Sequence, residues 1–195
     1  EQEQQQYQKV LAKLKTDPAA KQVRSHRLNI ESKRWQRSSS YRRLVSSAAL
    51  STELPEQLIY AIMETESSFN PMAVSPIPAF GLMQIVPNSA GIDVNQHLNK
   101  SKKAPSKDQL FTPDLNVTFG STYLHILYYR YLSSITDPKS RLYCTIAAYN
   151  TGAGNVAKTF NGSSMRIKEA AVKINGMSSE QVYHTLLKRL PYSET

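Results

Sequence analysis

Residues 54–84 read L-P-E-Q-L-I-Y-A-I-M-E-T-E-S-S-F-N-P-M-A-V-S-P-I-P-A-F-G-L-M-Q, and the rest of the chain is read outward from them. The stretch opens as a helix, for which Thr52 is the expected N-cap and Pro55 the expected first-turn residue. With Glu66 at zero on a wheel of about 100° per residue, Leu58, Ile59, Ile62, Met63 and Phe69 all fall within roughly 80° of it. Glu64 lands about 160° away. Glu66 therefore leaves the helix in the middle of its apolar face, whereas Glu64 points to water. A carboxyl on a buried face costs free energy unless it is protonated, paired or used. Burial also raises its pKa, which is what a general acid working near neutral pH needs. The helix alone leaves two readings open, a structural buried acid and a catalytic one.

Length and composition set the frame. A chain of 195 residues with 40% hydrophobic content holds one domain with a sizeable core plus an appendage. It is not a disordered chain. No apolar run approaches the roughly 20 residues of a membrane span, and no signal peptide opens the sequence. Glu1 is read as the start of a mature or trimmed fragment. Cys144 is the single cysteine, so an intramolecular disulfide is excluded; its string L-Y-C-T-I-A-A makes it a core residue.

The net charge of +9 is unevenly spread. Residues 1–50 carry eleven Lys and Arg against four Asp and Glu, residues 51–100 one against five, and residues 101–195 twelve against six. Basic flanks around an acidic centre suit an anionic polymer gripped at the sides and cut by a carboxylate. Nucleic acid would suit the charge equally well. The aromatics, however, fall mostly on helical stripes, so no nucleic-acid partner is expected.

The remaining pattern is helical throughout. Residues 1–16 form an expected exposed helix that stops at Asp17-Pro18, and 19–37 continue with sparse helical spacing. Residues 1–40 are therefore read as a basic helical N-terminal arm or the remnant of a preceding domain, and 41–195 as the catalytic domain. Val86–Gly91 is expected to give a short helix at most, and 95–109 a polar, basic surface loop. Thr112-Pro113 starts a long helix to about Ser134, and Asp137-Pro138 starts another that runs to about Tyr149. Three more follow near 153–160, 163–174 and 178–189. No run alternates as a strand would, so the fold class is all-α.

Three short motifs stand in order: E-S-S-F-N-P from Glu66, G-L-M-Q from Gly81 and A-Y-N-T-G-A-G from Ala148. Any one is weak; together the chain resembles the lytic murein transglycosylases of the soluble-transglycosylase type, the bacterial relatives of goose-type lysozyme. The resemblance covers roughly 48–190, and the E-T-E-S-S-F-N-P-x-A-V-S form is nearest to the membrane-bound members. It implies a lysozyme-like helical catalytic domain. The implied substrate is peptidoglycan glycan, cut between N-acetylmuramic acid and N-acetylglucosamine to leave 1,6-anhydromuramoyl ends, with Glu66 as the single acid and base. It further implies a periplasmic protein, anchored at the outer membrane through a lipid signal removed from the N-terminus. A monomer is expected.

Residue by residue, the resemblance makes Ser75 a substrate hydrogen-bonder, Met83 and Gln84 liners of the sugar site, Tyr149 a partner of the acid or the sugar, and Asn150 a brace for the following turn. Ser75 is otherwise a loop cap, and Met83 otherwise core. Ser67 reads as a local hydrogen-bonder. Phe80, the paired Pro76 and Pro78, and Thr151 depart from the common family pattern and bear on subsite preference. The four histidines lie far apart in sequence and no H-E-x-x-H or paired cysteines occur, so neither metal nor cofactor is expected. The alternatives are a goose-type lysozyme or chitinase-like hydrolase and a non-catalytic wall-binding module.

Overall fold

In the computed structural model, residues 36–190 are described. The chain divides into two compact units, Glu1–Arg43 and Leu44–Thr195. Expectations for the arm before residue 36 lie outside the described residues.

From Arg42 onward, nine α-helices follow one another among the described residues: α1 (Arg42–Thr52), α2 (Glu56–Ser67), α3 (Ile92–Asn99), α4 (Lys107–Leu110), α5 (Pro113–His125), α6 (Pro138–Thr151), α7 (Ala153–Asn161), α8 (Ile167–Asn175) and α9 (Ser179–Arg189). Two π-turns extend them, Pro87–Gly91 leading into α3 and Ile126–Tyr131 prolonging α5. Among the described residues there is no strand, only isolated bridges from Phe80 to Val74 and to Ile85. The all-α expectation stands.

Local chemistry explains most of the boundaries. Asp137 caps α6 by accepting from Ser140 N at 2.7 Å, with Pro138 in the first turn, where its missing N–H costs nothing. Ser106–Gln109 and Ser178–Gln181 close reciprocal capping boxes at α4 and α9. The start of α2 differs from the sequence reading. Thr52 is the buried last residue of α1, its hydroxyl donating back to Ala48 O at 2.6 Å, and Pro55 is the N-cap. A threonine that can satisfy its hydroxyl on its own helix need not cap the next one. The 86–109 region is also more helical than its polar composition suggested, because Val94 and Leu110 are fully buried and anchor α3 and α4.

Helices α5 and α6 form the centre. The α5 helix packs on α3, α4 and α6, and α6 packs on α7, α9 and the π-turn after α5. Leu124, Ile126, Leu127, Leu132, Ile135 and Cys144 are fully or almost fully buried there. Burial pushes the Cys144 thiol up to about 12, leaving it protonated and inert as a core residue. The α2 helix buries Leu58, Ile59, Ile62 and Met63, and its C-terminal end carries Glu66.

Candidate active site

The α2 helix ends where the sequence places the acid. Ser68 and Phe69 take the left-handed conformation, with φ of 49° and 63°, and their N–H groups reach back to Glu64 O and Met63 O. This cap stops the helix one turn after Met63 and fixes the direction of its last side chains. Glu64 is exposed, whereas Glu66 is half-buried among the residues of the apolar face. Burial raises the Glu66 pKa, so the carboxyl holds its proton to higher pH than an exposed glutamate.

The chain then folds over itself into a tight loop. Gly81 N donates to Ala73 O at 2.9 Å, Phe80 and Ile85 exchange two backbone bonds, and Gln84 N donates to Gly81 O at 3.2 Å. Gly81 sits at φ 79°, and a Cβ there would run into the Asn116 side chain and the Leu110 carbonyl. Only glycine satisfies both conditions. Gln84 takes φ 47°, and its Nε2 donates to Ala73 O and Gly81 O at 3.1 and 2.9 Å. Gln84 therefore staples the loop from inside.

Three helices grip this G-L-M-Q turn through backbone atoms. From α2, Ser67 Oγ donates to Leu82 O at 2.8 Å. From α6, Tyr149 Oη donates to Met83 O at 2.7 Å. From α5, Asn116 Oδ1 accepts from Met83 N at 2.8 Å while its Nδ2 donates to Phe80 O and Leu110 O at 2.8 and 2.7 Å. The Tyr149 ring lies 5.7 Å from that of Tyr123, which is itself buried on α5. The Tyr149 hydroxyl is held far above its ordinary pKa, first by burial, then by the Glu66 charge and by Tyr123. Tyr149 therefore lies within electrostatic reach of Glu66.

The site residues expected from the sequence come out as follows. Glu66 lies at the end of α2 and Tyr149 near the end of α6, and the G-L-M-Q turn is bonded both to Ser67, the neighbour of Glu66, and to Tyr149. The Met83 side chain has no exposed surface and packs against Gly120, so it serves as core; what it offers the site is its backbone. Ser75 donates its hydroxyl to Ile77 O and accepts from Ala79 N, which closes the loop containing Pro76 and Pro78. Asn150 is exposed at the end of α6, and the turn beyond it is braced by Thr151 Oγ1 on Ala147 O and Asn155 Nδ2 on Thr151 O, both at 2.8 Å. Gly152, at φ 86°, makes that turn. Ser67 bonds Met63 O locally, as expected, and in addition reaches Leu82.

Two features escaped the sequence. Asn116 is fully buried, although the sequence carries the signal: with Phe119, Gly120 and Tyr123 it lies on the inward stripe of α5. A polar residue centred on an apolar stripe is the same cue that singled out Glu66. His97 and His125, distant in sequence, also meet, their rings 5.9 Å apart. Among the described residues no three His, Cys, Asp or Glu side chains converge on a common point.

A family model described as "Transglycosylase SLT domain" matches residues 43–172, which span every group named above. The chain belongs to this transglycosylase family. Relatives named membrane-bound lytic murein transglycosylase C are 46% identical in Serratia proteamaculans and 45% in Klebsiella pneumoniae, each over 159 residues. Each alignment takes in 82% of this chain but 43% of the relative, so the chain spans less than half the length of these transglycosylases. Among solved structures, an inactive mutant of the lytic transglycosylase Slt from Pseudomonas aeruginosa superposes with a TM-score of 0.53 at 23% identity, over 77% of this chain and 23% of that one. That likeness shows the fold: the lysozyme-like architecture of the family is present here.

Proposed function

We propose that this chain cleaves peptidoglycan glycan strands between N-acetylmuramic acid and N-acetylglucosamine by lytic transglycosylation. The observation that carries the reading is Glu66: a half-buried carboxyl raised in pKa by burial, at the end of a helix and within electrostatic reach of a tyrosine whose own proton is committed to Met83 O. Among the other described carboxylates, Asp93 accepts from Tyr131, Asp137 caps α6, Glu169 binds Ser164 and Arg166, Glu56 is half-buried in the first turn of α2 with Glu66 in its last, and Glu53, Glu64, Asp108, Asp114 and Glu180 are exposed. A hydrolase working through two carboxylates needs the second within several ångströms of the first. One carboxyl suffices when the substrate brings its own nucleophile.

The step balances without water. Glu66 gives its proton to the glycosidic oxygen as the bond to C1 of muramic acid breaks, and the 2-acetamido carbonyl steadies the cationic carbon. The Glu66 carboxylate then takes the proton of the muramic 6-hydroxyl, whose oxygen closes onto C1. The acid is regenerated and the product is the 1,6-anhydro sugar. Because the Tyr149 proton goes to Met83 O, the phenol can act toward Glu66 or the sugar only through its oxygen lone pairs.

The relatives' names say membrane-bound, and we take this protein as periplasmic and held at the outer membrane; among the described residues no helix is long and apolar enough to cross a membrane. We place the start of the catalytic domain near residue 41, treat 1–40 as an arm or the remnant of a preceding domain, and take the chain as a monomer. Ser75, Gln84 and Asn150 are proposed to face the glycan, Ser75 with the hydroxyl lone pair its loop bonds leave.

The test is mass spectrometry of muropeptides released from purified peptidoglycan by the wild type and by Glu66→Gln. Anhydro products from the wild type alone support the reading. Reducing-end products indicate the hydrolase, and binding without release indicates a wall-binding module.

A further inference from the structure

The Leu82–Met83 peptide is fixed at both of its polar ends. Its carbonyl accepts from Ser67, the residue that follows Glu66, and its N–H donates to Asn116, each at 2.8 Å. The next carbonyl along, Met83 O, takes the Tyr149 hydroxyl at 2.7 Å. Asn116 is anchored independently of these, with both remaining bonds going to backbone carbonyls, Phe80 O and Leu110 O. Its amide is wholly committed and has no exposed surface, so it touches no substrate.

We propose that Asn116 is a positioning residue for the acid–base chemistry of Glu66, acting through the Leu82–Met83 peptide on Ser67 and Tyr149. The inference rests on Glu66 being the acid. Two physical effects carry it. A peptide whose N–H is hydrogen-bonded becomes a better acceptor at its carbonyl, so the Asn116 bond strengthens the Ser67 bond across the same peptide plane. Met83 O, which takes the Tyr149 hydroxyl, belongs to the next peptide, joined through the Met83 Cα to the one that Asn116 holds. Small displacements of an acid's neighbours are expensive: about 1 Å of misplacement costs on the order of 100-fold in rate.

The test is Asn116→Asp in the full chain, assayed on purified peptidoglycan across pH beside wild type, Glu66→Gln, Tyr149→Phe and the Asn116→Asp/Tyr149→Phe double variant. The aspartate keeps the acceptor for Met83 N–H but turns the donor toward Phe80 O and Leu110 O into an acceptor. We expect kcat to fall by about 10- to 100-fold with KM little changed. The loss shrinks as pH falls and the new carboxyl gains a proton to donate. In the Tyr149→Phe background the same substitution costs less than it does alone.

Wild-type kcat at every pH, or a loss that follows the folded fraction and adds in full to Tyr149→Phe, would overturn the proposal. If Asn116→Asp does not fold, Ser67→Ala frees the other end of the same peptide from a half-buried position and must reproduce the kcat loss; an unchanged kcat overturns it. Activity retained by Glu66→Gln removes the reading of the acid and this inference together. An inactive Glu66→Gln with an unaffected Asn116→Asp removes this inference alone.

Discussion

Tyr149 donates its hydroxyl proton to the Met83 carbonyl at 2.7 Å, so that proton is committed to the G-L-M-Q turn. Burial and the Glu66 charge hold its pKa well above the ordinary tyrosine range, which keeps the proton in place at any working pH. Tyr149→Phe should therefore cost about 1 kcal/mol of stability, one neutral hydrogen bond, while lowering kcat by about tenfold or more. Urea unfolding and muropeptide release measure the two separately. A kcat that survives the substitution would show that the acid needs no such partner.

Glu66 gives a stability prediction with a definite sign. Its folded pKa lies above its unfolded value because burial disfavours the carboxylate. The folded state therefore binds more protons than the unfolded state between those two values, and stability falls as pH rises through that window. Glu66→Gln removes the penalty. The variant should melt at a higher temperature than wild type at pH 7, with the advantage gone below the ordinary glutamate range. Equal Tm values at both pH values would mean that the carboxyl is fully solvated.

The two glycines against the turn are expected to behave differently. At Gly81 an alanine meets the Leu110 carbonyl and the Asn116 amide from a left-handed conformation, so Gly81→Ala should cost about 3 kcal/mol or more. At Gly120 the obstruction is the Met83 side chain, at ordinary helical geometry, so Gly120→Ala should cost about 1–3 kcal/mol. Chemical denaturation of both variants checks the order.

Cys144 has no exposed surface and a thiol pKa near 12, so it should resist alkylation in the folded protein and react fully in denaturant. Labelling of the native protein on the timescale of mixing would contradict the packing of α6.

What the sequence disclosed depended on how local the cause was. Glu66 was legible because a helical wheel is enough to place a carboxyl on an apolar face. The start of α6 was legible because Asp137 and Pro138 cap it alone. Thr52 was misplaced because two structures, a cap for α2 and a back-bond within α1, both suit a threonine there, and the packing of α1 decides between them. Met83 illustrates a different limit. Its motif position is plain, yet whether it lines a cleft or fills the core depends on Gly120, thirty-odd residues on. Asn116 escaped the sequence reading: it sits on the inward stripe of α5, but its bonds to Phe80, Met83 and Leu110 exist only once α5 meets the turn.

The most direct test of the account is cleavage of purified peptidoglycan in heavy-oxygen water. If Glu66 works alone and the muramic 6-hydroxyl closes the ring, the new muramic ends are anhydro and carry no heavy oxygen. New ends that are reducing and carry one heavy oxygen each would show that water is the nucleophile, and the single-carboxylate account would be wrong.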